Sequence, residues 1–227
     1  MKQSMLLAVL ALCALTASAT DADQPSRGWN SAYAEWNPMT FHPSARHIDN
    51  EIANGVTLGY GHAFRLLRRA PLYVEVGFAG QYSFSDDIGD LYDDYRRLDF
   101  APGRVERRYD DDYFDDTKLH LLSLKVPVNF IYKWHIPNSP IDLMPYAGLS
   151  VRTNVWGKLS NRRTDWNPFS DDDMPQAWKR FQVGWSVGLN VRFYNSLFVG
   201  GSYGTDFNDI FKNCRVRSGS VRLGCTF

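Results

Sequence analysis

The sequence predicts an all-β chain closed as an eight-stranded antiparallel up-and-down barrel, and three observations lead there. Apolar residues alternate with polar or small ones along eight separate stretches. The connections between those stretches are long and short by turns. Beyond the first 20 residues no apolar run approaches the ~18 residues of a membrane helix. Of the 227 residues, 44% are hydrophobic and 22% charged, a balance that excludes a mostly disordered chain. The 25 basic and 25 acidic side chains cancel, so no basic field points to nucleic acid. A helical membrane protein is excluded, whereas a membrane β-barrel is not, because its strands spread hydrophobicity over alternate positions.

The chain opens on a positive end at Lys2, an apolar stretch from Met5 to Leu15 and the small residues Ala17-Ser18-Ala19. These three parts predict a secretory signal peptide over 1–19 and a single barrel domain over 20–227. Leu12 stands where a lipoprotein site needs a small residue, so Cys13 is expected to leave with the leader. Cys214 and Cys225 remain, eleven residues apart in one extended stretch. At ~3.3 Å per residue they would lie roughly 36 Å from each other, too far for a disulfide.

Strand one, about 31–41, contains Pro38, which must fall at an edge, an end or a bulge. Strand two (55–65) sets Val56, Leu58, Tyr60 and Phe64 against Thr57, Gly59, Gly61 and Ala63. Strand three (71–83) sets Leu72, Val74, Val76, Phe78 and Tyr82 against Tyr73, Glu75, Gly77, Ala79 and Gln81. Strand four (118–134) is apolar at even positions from Leu122 to Trp134 and carries Ser123, Lys125, Pro127 and Asn129 at odd ones. Strand five (141–156) opposes Leu143, Ala147, Leu149, Val151 and Val155 to Tyr146, Gly148, Ser150, Arg152 and Asn154. Strand six (180–193) is apolar at every odd position from Phe181 to Phe193, a run that neither loop nor helix would produce. Strands seven (197–207) and eight (215–227) repeat the pattern, the last ending on Phe227.

Long connections at about 42–54, 84–117 and 157–179 alternate with short ones, which joins antiparallel neighbours by turns at one end and loops at the other, as outer-membrane barrels do. Two features assign the apolar face to lipid. Long charges at strand centres, mixed with Gly and Ser, suit the cramped interior of an eight-stranded barrel. Aromatic residues gather near strand ends, at Tyr132 and Trp134, Phe193 and Tyr194, and Trp156, as interfacial girdles require.

Ala34-Glu35-Trp36-Asn37-Pro38, Leu124-Lys125-Val126-Pro127-Val128-Asn129, Tyr146-Ala147-Gly148-Leu149, Gly184-Trp185-Ser186-Val187-Gly188 and the ending Leu223-Gly224-Cys225-Thr226-Phe227 resemble the small outer-membrane β-barrel proteins of the PorT-like group of Bacteroidota. The resemblance implies an eight-stranded barrel inserted by the outer-membrane assembly machinery, with Phe227 as part of the insertion signal. Cys225 stands where such endings more often carry Tyr or another large apolar residue.

On this reading Glu35, Glu75, Lys125, Arg152, Arg192 and Arg222 point into the lumen and form a charge network that plugs it. Two acids against four cations leave an imbalance for Asp142, Asp206, water or a bound anion to offset. The connection from Asp86 to Asp116 holds twelve acids and five arginines, a net charge of −7. Within it Tyr92, Tyr95, Arg107, Arg108, Tyr109, Asp110, Asp111, Asp112 and Tyr113 are candidates for binding an external partner. No spaced calcium loop, zinc signature, P-loop or dinucleotide fingerprint is present, and no cofactor or metal is expected. His120 and Ser123 have opposite parity, His62 falls on the lipid face, and no triad spacing exists, so no enzyme is expected. The expected protein is a monomer in the Gram-negative outer membrane, in contact with the lipid bilayer and lipopolysaccharide. Its role is structural, surface-binding or accessory to secretion. The alternatives are passage of a small solute or ion through the lumen and, more weakly, a soluble barrel holding an apolar ligand.

Overall fold

In a computed structural model of the chain, residues 28–43, 50–67, 69–88, 91, 116–162, 164–170, 178–211 and 213–227 are described. The leader predicted over 1–19 lies outside them. Alternation produces the strands β1 (Gly28–Trp36), β2 (Met39–Pro43), β3 (Glu51–Arg65), β4 (Leu72–Ser85), β5 (Lys118–Tyr132), β6 (Trp134–His135), β7 (Ile141–Ser160), β8 (Asp165–Trp166), β9 (Phe181–Phe193), β10 (Leu197–Asp206) and β11 (Cys214–Thr226). All pairings are antiparallel, and β1 bonds both β3 and β11, which closes the sheet.

Eight staves make the barrel, because β1 with β2 and β5 with β6 are each one strand interrupted. Trp36 pairs Val221 and Met39 pairs Ser218, so the register runs unbroken across Asn37-Pro38, where proline has no N–H to give the ladder. The stave is longer than the predicted 31–41 at both ends. The predicted connection at 42–54 is accordingly short, since β2 reaches Pro43 and β3 starts at Glu51. Likewise β7 continues to Ser160, into the stretch read as a loop at 157–179, and its outer end pairs with β8. The first and last staves are pinned at the turn end by reciprocal bonds, Asn30 N–H to Phe227 O at 2.8 Å and Phe227 N–H to Asn30 O at 3.0 Å.

Tight turns fix the other registers. Between β9 and β10, Tyr194 and Asn195 both have left-handed φ, 51° and 57°, and Ser196 N–H closes on Phe193 O at 3.0 Å. That pair of angles matches the twist of a two-stranded ribbon. One irregularity breaks the period: Leu122 pairs Trp156 but Ser123 pairs Asn154, so Val155 is an extra residue in β7. This β-bulge turns Val155 and Trp156 outward together.

The apolar face points out. Leu58 on β3, Leu149 on β7 and Val221 on β11 are 58%, 54% and 56% exposed, and Val187 and Leu189 on β9 are exposed too. A soluble barrel holding an apolar ligand would bury these residues, and that alternative is overturned. Trp36, Phe84, Trp156 and Phe181 border the belt at the loop end, and Phe64, Tyr132, Trp134 and Tyr194 at the turn end.

Candidate functional site

The inward face is layered. At the turn end Trp29, Tyr33, Ala63, Tyr73, Ile131, Met144, Tyr146 and Phe198 form a buried floor. Its rings need room that only glycine leaves: a Cβ on Gly59 would meet the Tyr33 ring at 2.3 Å, and one on Gly188 the Tyr146 ring at 2.5 Å. At the loop end Met39, Phe41, Ile88, Leu91, Leu119, Leu121, Leu159, Trp178, Ile210, Phe211 and Val216 belong to a second apolar cluster that caps the lumen. Glu35, Lys125, Arg152 and Arg222 lie between these clusters, whereas Glu75 and Arg192 stand level with the floor, opposite Ala63 and Phe198 in the ladder.

Arg222 and Glu35 are cross-strand neighbours on β11 and β1, 2.8 Å apart, and the guanidinium stands 4.9 and 5.1 Å from the ring centres of Tyr33 and Tyr146. Arg192 on β9 pairs across the ladder with Asp142 on β7, with Nη2 and Nε donating to one carboxylate oxygen at 2.6 and 3.0 Å. Asp142 also meets His135 at 2.9 Å and Lys133 at 3.5 Å.

Arg152 reaches past β9 to Asp206 on β10 at 2.5 Å, over Gly184, whose missing Cβ leaves space for that carboxylate. Glu75 has no arginine partner; Ser31 Oγ and Asn129 Nδ2 donate to it at 3.0 and 3.2 Å. Lys125 lines an internal cavity with Glu35, Arg152 and Asp206 and forms no ion pair among the described residues. Above this layer Ser123 donates to Asn154 at 2.7 Å and Asn154 to Gln182 at 2.8 Å, which ties β5, β7 and β9 together beneath the cap.

Among the described residues Asp142 and Asp206 join Glu35 and Glu75 on the inward face, beside Lys125, Arg152, Arg192 and Arg222, with Lys133 reaching Asp142 from the turn end. Parity alone puts both aspartates on the inward face, but only the register shows which cation each one meets. The cavity beside Lys125 measures about 30 Å³, and a lower one bounded by Glu75 and Arg222 about 10 Å³. A single water needs roughly 10–15 Å³, so each of these two cavities, among the described residues, has room for one or two waters at most. Tyr92, Tyr95, Arg107, Arg108, Tyr109, Asp110, Asp111, Asp112 and Tyr113 lie outside the described residues. Phe227, the expected insertion signal, sits at the turn end with its ring centre 6.5 Å from that of Tyr60.

The closed barrel with its apolar outward face bears comparison with known proteins by family and by structure. A family model described as an outer membrane protein beta-barrel domain matches residues 35–212, most of the chain. The chain belongs to that family. It is an outer-membrane β-barrel protein, and the outer membrane of a Gram-negative envelope is its location. No curated protein matches it. Similar solved structures include Neisserial surface protein A, at 14% identity and TM-score 0.44 over 87% of this chain and 97% of that one. Ail, the attachment invasion locus protein of Yersinia pestis, matches at 12% identity and TM-score 0.44 over 89% and 100%. The outer membrane enzyme PagL matches at 13% identity and TM-score 0.44 over 86% and 97%.

Proposed function

We propose that this outer-membrane barrel is a non-enzymatic protein with a plugged lumen, whose task is performed at its outer surface. The long connections face outward, where they support the envelope or contact a surface or secretion partner. The finer resemblance, to PorT-like barrels of Bacteroidota, allows an accessory role in secretion or transport and bears more on fold than on role. The observation that carries the reading is the paired and sealed interior. Three buried arginines hold the buried Glu35 and Asp142 and the half-buried Asp206, an apolar cluster lies toward each end, and the two cavities seen among the described lumen residues are of water size. Separating these charges to open a path would expose each to a low-dielectric wall, at a cost of several kcal/mol per ion. On the outward face His62 meets Asn30 and His120 meets Tyr82, both at 2.7 Å.

Planar-bilayer recording of the purified chain tests the plug. The expected record shows no stable openings; reproducible unit conductance would overturn the proposal in favour of solute or ion passage. Pull-down from intact cells, with the full chain and with residues 86–116 deleted, tests the surface role. A partner lost on deletion is expected, and identical partner sets would remove that connection from the binding surface.

A further inference from the structure

The cavity of about 30 Å³ beside Lys125 exists because three neighbouring strands carry small residues at successive inward positions. These are Gly184 and Ser186 on β9, Ser202 and Gly204 on β10, and Ser218 and Ser220 on β11. Gly204 pairs with Ser186 on one side and with Ser218 on the other, so those two hydroxyls stand at one level of the ladder. Ser150 on β7 and Lys125 on β5 complete the lining from outside that trio of strands.

The charges acting on Lys125 are those of Glu35, Asp206, Arg152 and Arg222. Both carboxylates are already engaged, Glu35 with Arg222 at 2.8 Å and Asp206 with Arg152 at 2.5 Å. Lys125 is the third cation of the group and forms no ion pair among the described residues. Glu75 does not serve it: Glu75 pairs with Asn129 in the ladder and Lys125 with Ala79, four residues along the strand, or ~13 Å. Asp142 is taken at the turn end by Arg192 and Lys133. Two acids against three cations therefore leave one positive charge in an interior where an uncompensated ion is costly. The lining is also rich in donors. Ser150, Ser186 and Ser218 make no side-chain hydrogen bond among the described residues, and an ammonium can only donate. Water would accept some of these hydrogens and leave the charge in place, whereas an anion accepts them all and cancels it. A surplus of one charge calls for a monovalent ion. Space for one or two waters admits a small spherical ion and excludes an organic one.

We propose that this cavity binds one halide ion, chloride, held by Lys125 Nζ and the hydroxyls of Ser150, Ser186 and Ser218. The inference rests on the plugged-lumen reading and supplies the counter-ion of the plug. It is tested by refolding the full chain in detergent with sodium bromide as the only salt and locating bromine in crystals by anomalous X-ray scattering. A peak in the cavity beside Lys125 is expected in the unaltered chain and none there in Lys125→Met, which keeps the side-chain length and loses the charge. Bromide at the barrel surface alone would be an adventitious ion only and would overturn the site. A cavity peak that survives in Lys125→Met would overturn it too. Heat-modifiable migration confirms that each variant is folded. Should Lys125→Met not fold, Ser186→Ala/Ser218→Ala is read in its place, with loss of most of the cavity peak expected and an unchanged peak contradicting the site. In solution, an ion that binds only the folded chain raises the urea midpoint. The unaltered chain should therefore unfold at higher urea in chloride than in gluconate, which is too large for the cavity, at equal ionic strength; coincident midpoints would contradict the site. A cavity without bromide in a barrel that does not conduct overturns the anion and leaves the plug standing, whereas stable openings in the bilayer record overturn the plug itself.

Discussion

Arg222 is 7% exposed and Glu35 5%, and neither has water to turn to when the other is removed. Replacing Arg222 by Leu leaves a carboxylate buried among Tyr33, Tyr146 and Glu75, which should destabilise the barrel by about 3–5 kcal/mol. The double variant Glu35→Leu/Arg222→Leu removes both charges and should recover most of that loss. Urea unfolding in lipid vesicles reads both, and a double variant no better than the single one would show that the pair is held for its packing. At this scale the sequence was partly legible. Parity placed all six lumen charges inward, because a side chain in a strand has only two directions to choose from. It could not choose partners, because pairing Arg192 with Asp142 and Arg152 with Asp206 depends on the register set by the turn at 194–196 and by the strand offsets.

Within single strands, glycine positions record where an inward ring must lie. Gly188 on β9 faces Tyr146 of the neighbouring β7, and a side chain there would collide with the ring at 2.5 Å. Gly188→Val should therefore displace Tyr146 from beneath Arg222 and cost about 1–3 kcal/mol. The lipid-facing neighbour Val187→Ala, which meets no such ring, should cost less in the same unfolding assay. Equal losses would mean that the floor repacks freely. The bulge at Val155 escaped sequence reading because Val155 and Trp156 both suit an outward position, and alternation simply appears to end there. Leu119 and Leu121 stand on the polar side of the period and were unexplained by it. They belong to the cap, since alternation assigns a residue to a face but not to a height along the barrel.

For the molecule as a whole, among the described residues, the outward face between the two aromatic girdles carries no Asp, Glu, Lys or Arg, while Glu35, Glu75, Asp142 and Asp206 share the inward face with Lys125, Arg152, Arg192 and Arg222. That division is what a hydrocarbon surround demands, since a charge at the bilayer midplane of such a barrel costs about 2–4 kcal/mol. The chain shows no helix long and apolar enough to cross a membrane among its described residues; its crossing is made by strands. The eight staves and the outer-membrane location were legible from period and connection length, because a lipid-exposed strand must keep its period over its whole span. What the outer connections bind was not, since binding chemistry there follows no period.

The most direct test of this account uses methyl groups present on both faces. In methyl-labelled protein held in nanodiscs, nuclear Overhauser effects from lipid acyl chains should reach Leu58, Leu124, Val187, Leu189 and Val221. They should be absent at Leu119, Leu121, Ile131, Leu159 and Val216, which lie inside. Acyl-chain contacts at the second set, or none at the first, would contradict the assignment of faces on which the membrane reading depends.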